Sequence, residues 1–127
     1  RAFAQAFKAA NVTLEDIDFA EVHDCFTIAE LLTYEAMGLA PKGQGARALE
    51  DGTVYRGGAL PVNLSGGLKA KGHPVGATGV SMHALAFRQL TNQAGDLQVP
   101  GAELGLLFNM GGSAVANYVS VLEARKV

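Results

Sequence analysis

The stretch from Asn63 to Gly79 constrains this chain more than any other. It reads Asn-Leu-Ser-Gly-Gly-Leu-Lys-Ala-Lys-Gly-His-Pro-Val-Gly-Ala-Thr-Gly, with five glycines, one proline and one histidine among few bulky side chains. Glycine lets the backbone turn through positive φ and approach other groups closely. Pro74 fixes its own φ and biases His73 toward an extended conformation. A helix-compatible run follows from about Val75 to Leu90, and proline suits the first turn of such a helix, where its missing N–H costs nothing. His73 is therefore expected at or just before a helix N-terminus. The positive end of the helix disfavours an imidazolium there, and a neutral imidazole can accept a proton or meet a developing oxyanion. The same residues also suit a plain glycine-rich loop with an incidental histidine.

Around this stretch the chain alternates helical and extended patterns. Ala2, Phe3, Ala6, Phe7 and Ala10 recur at helix spacing and predict a first helix over 2–10. Thr13-Leu14-Glu15-Asp16 reads as a capping box for a single turn. Phe19 to His23 predicts a short strand, and Asp24-Cys25 the turn after it. Thr27 as N-cap with Glu30 reaching back predicts a second helix, running to Met37 with Ile28, Leu31, Leu32 and Met37 as its apolar side and Gly38 as C-cap. Residues 40–59 read as a long loop, a feature that in a compact domain is usually functional or mobile. Leu60 to Leu64, Leu104 to Asn109 and Ala114 to Leu122 predict further strands, the last two pairing as a hairpin across Gly111-Gly112. Helices alternating with strands argue for an α/β fold of layered helices on a sheet.

The bulk properties exclude several classes. A length of 127 residues fits one domain, 1–127, and a hydrophobic share of 49% fits an ordinary globular core. A net charge of -2 gives no reason to expect a nucleic-acid partner. No apolar run approaches the ~18 residues of a membrane span. The sixteen glycines, about twice the usual share, cluster in loops, so the chain is not a linker. The single cysteine excludes an internal disulfide, and a reducing, cytoplasmic setting is the expectation. The chain opens inside a helical pattern without an initiating methionine, which suggests a piece of something longer.

His23-Asp24-Cys25-Phe26 is the second concentration of reactive groups, at the carboxyl end of a strand, the edge where open α/β sheets place ligand sites. A cysteine near a helix N-terminus can exchange protons near neutral pH; a buried Cys25 would equally serve as a small hydrophobe. Asp24 reads best as an N-cap. His23 is placed to hydrogen-bond a water or a substrate oxygen. His23, Cys25 and His73 form no recognised metal-ligand spacing, so no metal site is expected. Lys69 and Lys71 precede His73 on the same loop and read as solvated lysines or as phosphate contacts. Gly67 to Gly72 has phosphate-loop spacing, but His73-Pro74 follows where Lys-Ser/Thr is needed. His83 reads as an ordinary helix residue.

These motifs, His23-Asp24-Cys25-Phe26, Gly72-His73-Pro74-Val75-Gly76-Ala77-Thr78-Gly79 and Asn109-Met110-Gly111-Gly112, occur in the order of the carboxyl-terminal half of a thiolase. The His-Asp-Cys-Phe form resembles the sterol-carrier-protein-type branch, where most thiolases carry Asn-Glu-Ala-Phe. The resemblance spans nearly the whole chain. It implies the carboxyl-terminal half of a thiolase fold, with layered helices on a mixed β-sheet, whose first, central strand would precede Arg1. It also implies Claisen condensation or thiolytic cleavage of 3-ketoacyl-coenzyme A, an acyltransferase activity of lipid metabolism. Coenzyme A thioesters would be the substrates, with no further cofactor.

The resemblance assigns roles as well. His73 would activate a nucleophilic cysteine and share an oxyanion hole, and His23 would stand where the family's asparagine holds a catalytic water. Cys25 would move the α-proton of the second acyl group. In most thiolases that thiol lies in a later Cys-x-Gly motif, whose approximate place Asn109 takes here. Gly111 and Gly112 would supply a second oxyanion hole, and Gly66 and Gly67 part of the active-site floor. The nucleophile would lie in an amino-terminal half, which would be the partner of this chain within a homo-oligomer, a homodimer at its simplest. Two rival readings keep the fold: a retro-aldolase, and a non-catalytic lipid- or acyl-binding paralogue working with a partner.

Overall fold

A computed structural model describes residues 1–125. Three strands form the sheet: β1 (Phe19–Val22), β2 (Leu104–Gly111) and β3 (Ala116–Glu123). They lie in the order β1-β2-β3. β1 runs parallel to β2, with Phe19 opposite Gly105 and Val22 opposite Phe108. β2 and β3 form an antiparallel hairpin, from Leu104 opposite Glu123 to Gly111 opposite Ala116. All four residues of β1 are buried, as expected of a parallel strand covered on both faces. On its free side β1 meets Val62 in a single parallel bridge at Ala20.

Because side chains alternate across a sheet, the strands feed two separate cores. Ala20, Val22, Leu106 and Phe108 pack on one face with Phe3, Tyr34, Met37, Val54 and Leu60. That face carries α1 (Ala2–Ala10) and α2 (Thr27–Met37), and the Phe3 and Phe108 rings lie 5.0 Å apart. Phe19 and Leu107 pack on the other face with Met82 and Ala86, which belong to α5 (Thr78–Leu90). Two one-turn helices, α3 (Arg47–Glu50) and α4 (Gly67–Lys71), complete the set with 3₁₀ turns at Leu14–Asp16 and Gly95–Leu97. No helix of the described residues is long and apolar enough to cross a membrane.

Several expected elements take a different form. The helix expected from Val75 starts at Thr78, because Gly76 adopts a left-handed φ of 83° and breaks the run after Pro74. Ahead of it, α4 occupies what reads as loop. Thr27 is the first residue of α2, not its cap: Phe26 holds the cap position, without a side-chain hydrogen bond. Glu30 does not reach back; its Oε1 accepts from Tyr34 Oη at 2.8 Å and from Asn63 Nδ2 at 3.2 Å. Ile28 and Leu32, expected on the apolar side of α2, are 60% and 55% exposed, while Tyr34 and Met37 are buried.

The 40–59 segment is more ordered than a loop. It contains α3 and sends Ala48 and Val54 into the core. It is held to α2 by the Gly45 N–H, which donates to Glu35 Oε1 at 2.9 Å. Backbone N–H groups of Gly43 and Gly45 keep that carboxyl below its ordinary range. The strand expected at Leu60 to Leu64 reduces to the Val62 bridge, since Pro61 has no N–H to give and Asn63 turns at φ 52°. Gly111 remains in β2, so the hairpin turn spans 112–115.

Candidate active site

The segment that leaves β1 delivers His23 and Asp24 into the interior, where they are 3% and 2% exposed. Asp24 does cap a helix, but not the one that follows it. Its Oδ1 accepts the Leu68 N–H at 2.7 Å, so the carboxylate serves the first turn of α4. Gly67 lies so close that a Cβ there would overlap the Asp24 carboxylate. Lys69 Nζ stands 3.9 Å from Asp24 Oδ2 and 2.8 Å from Glu30 Oε2. Lys71 Nζ reaches Glu21 Oε2 at 3.2 Å and Ser65 Oγ at 2.7 Å. The two lysines are thus partners of carboxylates on β1, the β1–α2 turn and α2, and they hold the 63–72 segment against them.

That segment leads into His73. The His73 ring meets the His23 ring edge to face, with centroids 4.7 Å apart and planes at 86°. His73 Nδ1 lies 2.7 Å from Thr78 Oγ1, the first residue of α5. The Thr78 hydroxyl donates to Pro74 O at 3.2 Å, and a hydroxyl has one proton to give. It therefore accepts from His73 Nδ1–H, and Nε2 is the nitrogen left to meet a ligand. His23 is fixed the same way: its Nδ1 lies 2.7 Å from Asn109 Oδ1, at the end of β2. Burial pushes the His23 pKa down, and the neighbouring His73 adds to this against the opposing Asn109 hydrogen bond and Asp24. No buried side-chain nitrogen or oxygen of the described residues lacks a hydrogen bond. His23 Nε2, which has none, is accordingly open to the cleft.

The cleft holds about 600 Å³ and is lined by both histidines, Asn109, Thr78, Gly79 and Gly112 among others. His83, read from sequence as an ordinary helix residue, lines it too; its Nδ1 bonds Gly79 O at 2.7 Å and its Nε2 lies 3.2 Å from Ser120 Oγ. Gly112 opens the hairpin turn at φ 57°, followed by Ser113 and Ala114, also left-handed at 54° and 70°. Of the residues singled out from sequence, His23, His73 and Gly112 therefore share one cleft. Cys25, half-buried two residues beyond His23, is not part of its lining, nor are Gly66, Gly67 and Gly111. Gly67 supports the site from behind through Asp24. Asn109 and Thr78, which orient the two rings, are residues that sequence reasoning did not assign. Both stand within the motifs quoted from sequence, and that membership was the available signal.

This fold, with two imidazoles converging from the end of β1 and the entry to α5, belongs to a defined class. The chain matches the family described as thiolase C-terminal domain-like over residues 1–124, and it belongs to that family. It is 53% identical over 108 residues to the acetyl-CoA acetyltransferase of Methanothermobacter thermautotrophicus, covering 85% of this chain and 28% of that protein. It is 49% identical over 112 residues to human sterol carrier protein 2, covering 87% of this chain and 20% of that one. The benzoylsuccinyl-CoA thiolase subunit BbsB of Thauera aromatica is 43% identical over 95 residues, 75% of this chain and 25% of its own length. The chain thus spans between a fifth and three tenths of these curated relatives. Among solved structures it resembles one described as an Ltp2-ChsH2(DUF35) aldolase, with a TM-score of 0.75 at 25% identity, covering 99% of this chain and 32% of that one.

Proposed function

We propose that this chain is the acid–base and oxyanion half of an acyl-coenzyme A thiolase-type acyltransferase. The observation that carries the reading is the edge-to-face pair of His23 and His73. Both rings have Nδ1 engaged by a fixed acceptor and Nε2 left for a ligand in one cleft. A bare Nε2 on His73 takes the proton of a nucleophilic thiol and then, as N–H, donates to the oxygen of the acyl thioester. A neutral His23 Nε2 accepts a hydrogen bond from a water or substrate group. The thiolase resemblance assigns the α-proton of the second acyl group to Cys25, which lies outside the lining of this cleft and reaches the substrate only in the site completed by the amino-terminal half; the resulting enolate attacks the acyl-enzyme carbonyl. The carbon–carbon bond forms, the carbon–sulfur bond breaks, and the nucleophile leaves as thiolate; cleavage is the reverse. The same reading assigns the enolate oxygen to backbone N–H groups of Gly111, at the end of β2, and Gly112, which opens the hairpin turn and lines the cleft, with Gly66-Gly67 underlying the site.

The nucleophile belongs to an amino-terminal half that packs on this one. Its landing surface includes the exposed side of α5, where Val80 and Phe87 are 71% and 60% exposed. The reading takes this exposed apolar pair as part of the contact with the amino-terminal half. The reading carries coenzyme A thioesters as substrates, no further cofactor, a homo-oligomer of the full-length protein and a cytoplasmic setting. A retro-aldol activity is the second reading, favoured by the likeness to a solved aldolase.

The test is to assay residues 1–127 alone and with the amino-terminal half, using acetyl-coenzyme A. No product from this chain alone and acetoacetyl-coenzyme A from the pair is the expected result. Turnover by this chain alone contradicts the division of labour. A pair that cleaves a β-hydroxyacyl thioester but condenses nothing supports the aldolase, and a pair inactive in both assays supports the non-catalytic paralogue.

A further inference from the structure

Asn109 stands near the place where the resemblance puts the acid–base thiol of most thiolases, and it is not a mere vacancy. Its Oδ1 meets two donors at once, the Met110 N–H at 3.1 Å and His23 Nδ1 at 2.7 Å. The backbone N–H can only donate, so the atom facing it is the amide oxygen, which settles which way the amide points. An amide oxygen can only accept, so the His23 nitrogen facing it carries the proton. The other end of the amide, Nδ2, lies against Gly79, where a Cβ would come within 2.7 Å of it. Gly79 lies in the first turn of α5, so β2 and α5 together hold the amide against His23.

We propose that Asn109 is the positioning residue of His23: its Oδ1 holds the imidazole in the Nδ1–H form and leaves Nε2 as the atom that meets substrate or water. The second half of this statement rests on the thiolase-type reading above; the first half does not. A neutral amide does this without adding charge. The titratable groups facing His23 are His73, from the α4–α5 connection, and Asp24, beside it in the chain. Asp24 is itself held by the Leu68 N–H and by Lys69 of α4. β2 meets the ring with the uncharged Asn109, and α5 brings His83 to the same cleft. A carboxylate in place of the amide would accept the same proton but would favour the imidazolium, turning a proton acceptor into a donor. An aliphatic side chain would release the ring to either tautomer.

The experiment uses the full-length protein labelled with ¹⁵N-histidine, and reads the His23 tautomer and titration by NMR in the wild type, N109D and N109L. The wild type is expected to show Nδ1–H with a midpoint below the ordinary ~6.5. N109D should keep that tautomer and raise the midpoint by about one unit or more, as an opposite charge at contact distance does. The acid limb of its kcat/KM profile should rise with it. N109L should lose the tautomer bias and lower kcat by about 10–100-fold, by analogy with the loss seen when the outer partner of a metal-bound histidine is removed, with KM little changed. A wild-type tautomer and midpoint in both variants overturn the positioning role, whatever the rates. If the NMR changes occur and condensation rates do not move, the positioning role stands and it is the thiolase-type assignment of His23 that fails. If N109D does not fold, N109L decides the first half by itself, and the reverse holds for N109L.

Discussion

Asp24 Oδ1 accepts the Leu68 N–H at 2.7 Å across 44 residues of chain. The carboxylate of one motif is thereby the helix cap of the other, and His23 and His73 owe their common cleft partly to this link. Removing it in D24A leaves a buried N–H without its charged acceptor. The expected cost is about 1–3 kcal/mol, read as a shift in the urea midpoint of the full-length protein. D24N, which keeps an acceptor oxygen at the same place, should lose less. An unshifted midpoint in D24A would show that the link does not hold the two segments together.

Gly67 tests the same contact from the other side. It has φ 64°, and any Cβ would meet the Asp24 carboxylate. G67A is expected to destabilise by about 1–3 kcal/mol from backbone strain alone. It should also lower acyl transfer, because the displaced carboxylate disturbs the approach of His73. G79A makes the useful contrast. Its φ is not left-handed, and alanine favours helix by about 1 kcal/mol, so stability should hardly fall. The new methyl instead pushes on the Asn109 amide. G79A should therefore lose activity while keeping its denaturation midpoint, and the opposite pattern would contradict the contact.

His23 predicts a particular dependence of stability on pH. Burial and His73 hold its folded-state pKa below that of the unfolded chain, which is ~6.5. Between those two values the unfolded chain binds more protons than the folded one, so stability rises with pH there. As pH falls through about 6.5 this contribution is lost, and it levels off below the folded-state value. Urea midpoints measured from pH 8 to pH 5 in the wild type and H23Q should diverge across that window. Parallel curves would show that His23 titrates as it does in the unfolded chain.

His73 carries the largest kinetic prediction. H73A should lower acyl transfer by about 10²–10³-fold, the usual loss for one oxyanion donor. Stability should change little, since the side chain is exposed. Unchanged single-turnover acylation in H73A would remove His73 from the mechanism.

Much of the fold was legible because it depends on local pattern. The 3.6 period of Ala2, Phe3, Ala6 and Phe7 and the C-cap at Gly38 give α1 and the end of α2 their observed bounds. β1 follows from the alternation of Phe19 to His23, and β2 from a short apolar run. What was not legible depends on partners far away in the chain. Glu30 looks like half of a capping box, yet Tyr34, Asn63 and Lys69 claim its carboxylate. Asp24 looks like the cap of α2, yet it caps α4. α4 itself hides between Gly66 and Gly72, residues that propensity assigns to loop, because its first turn is capped from outside. In the site, the two histidines stand out by motif. Asn109 also heads a motif, but its role does not stand out, since it depends on a hydrogen bond spanning 86 residues.

The division of roles between Cys25 and a nucleophile outside residues 1–127 is the central claim, and one trapping measurement tests it most directly. Full-length wild type and C25A would be incubated with acetyl-coenzyme A, digested, and mapped by mass spectrometry for the acetylated peptide, with acetoacetyl-coenzyme A measured in the same samples. The account predicts an acetyl group on a cysteine outside residues 1–127 in both proteins, accumulating in C25A because the α-proton has no acceptor, with condensation product from the wild type only. An acetyl group found on Cys25, or wild-type condensation by C25A, would contradict it.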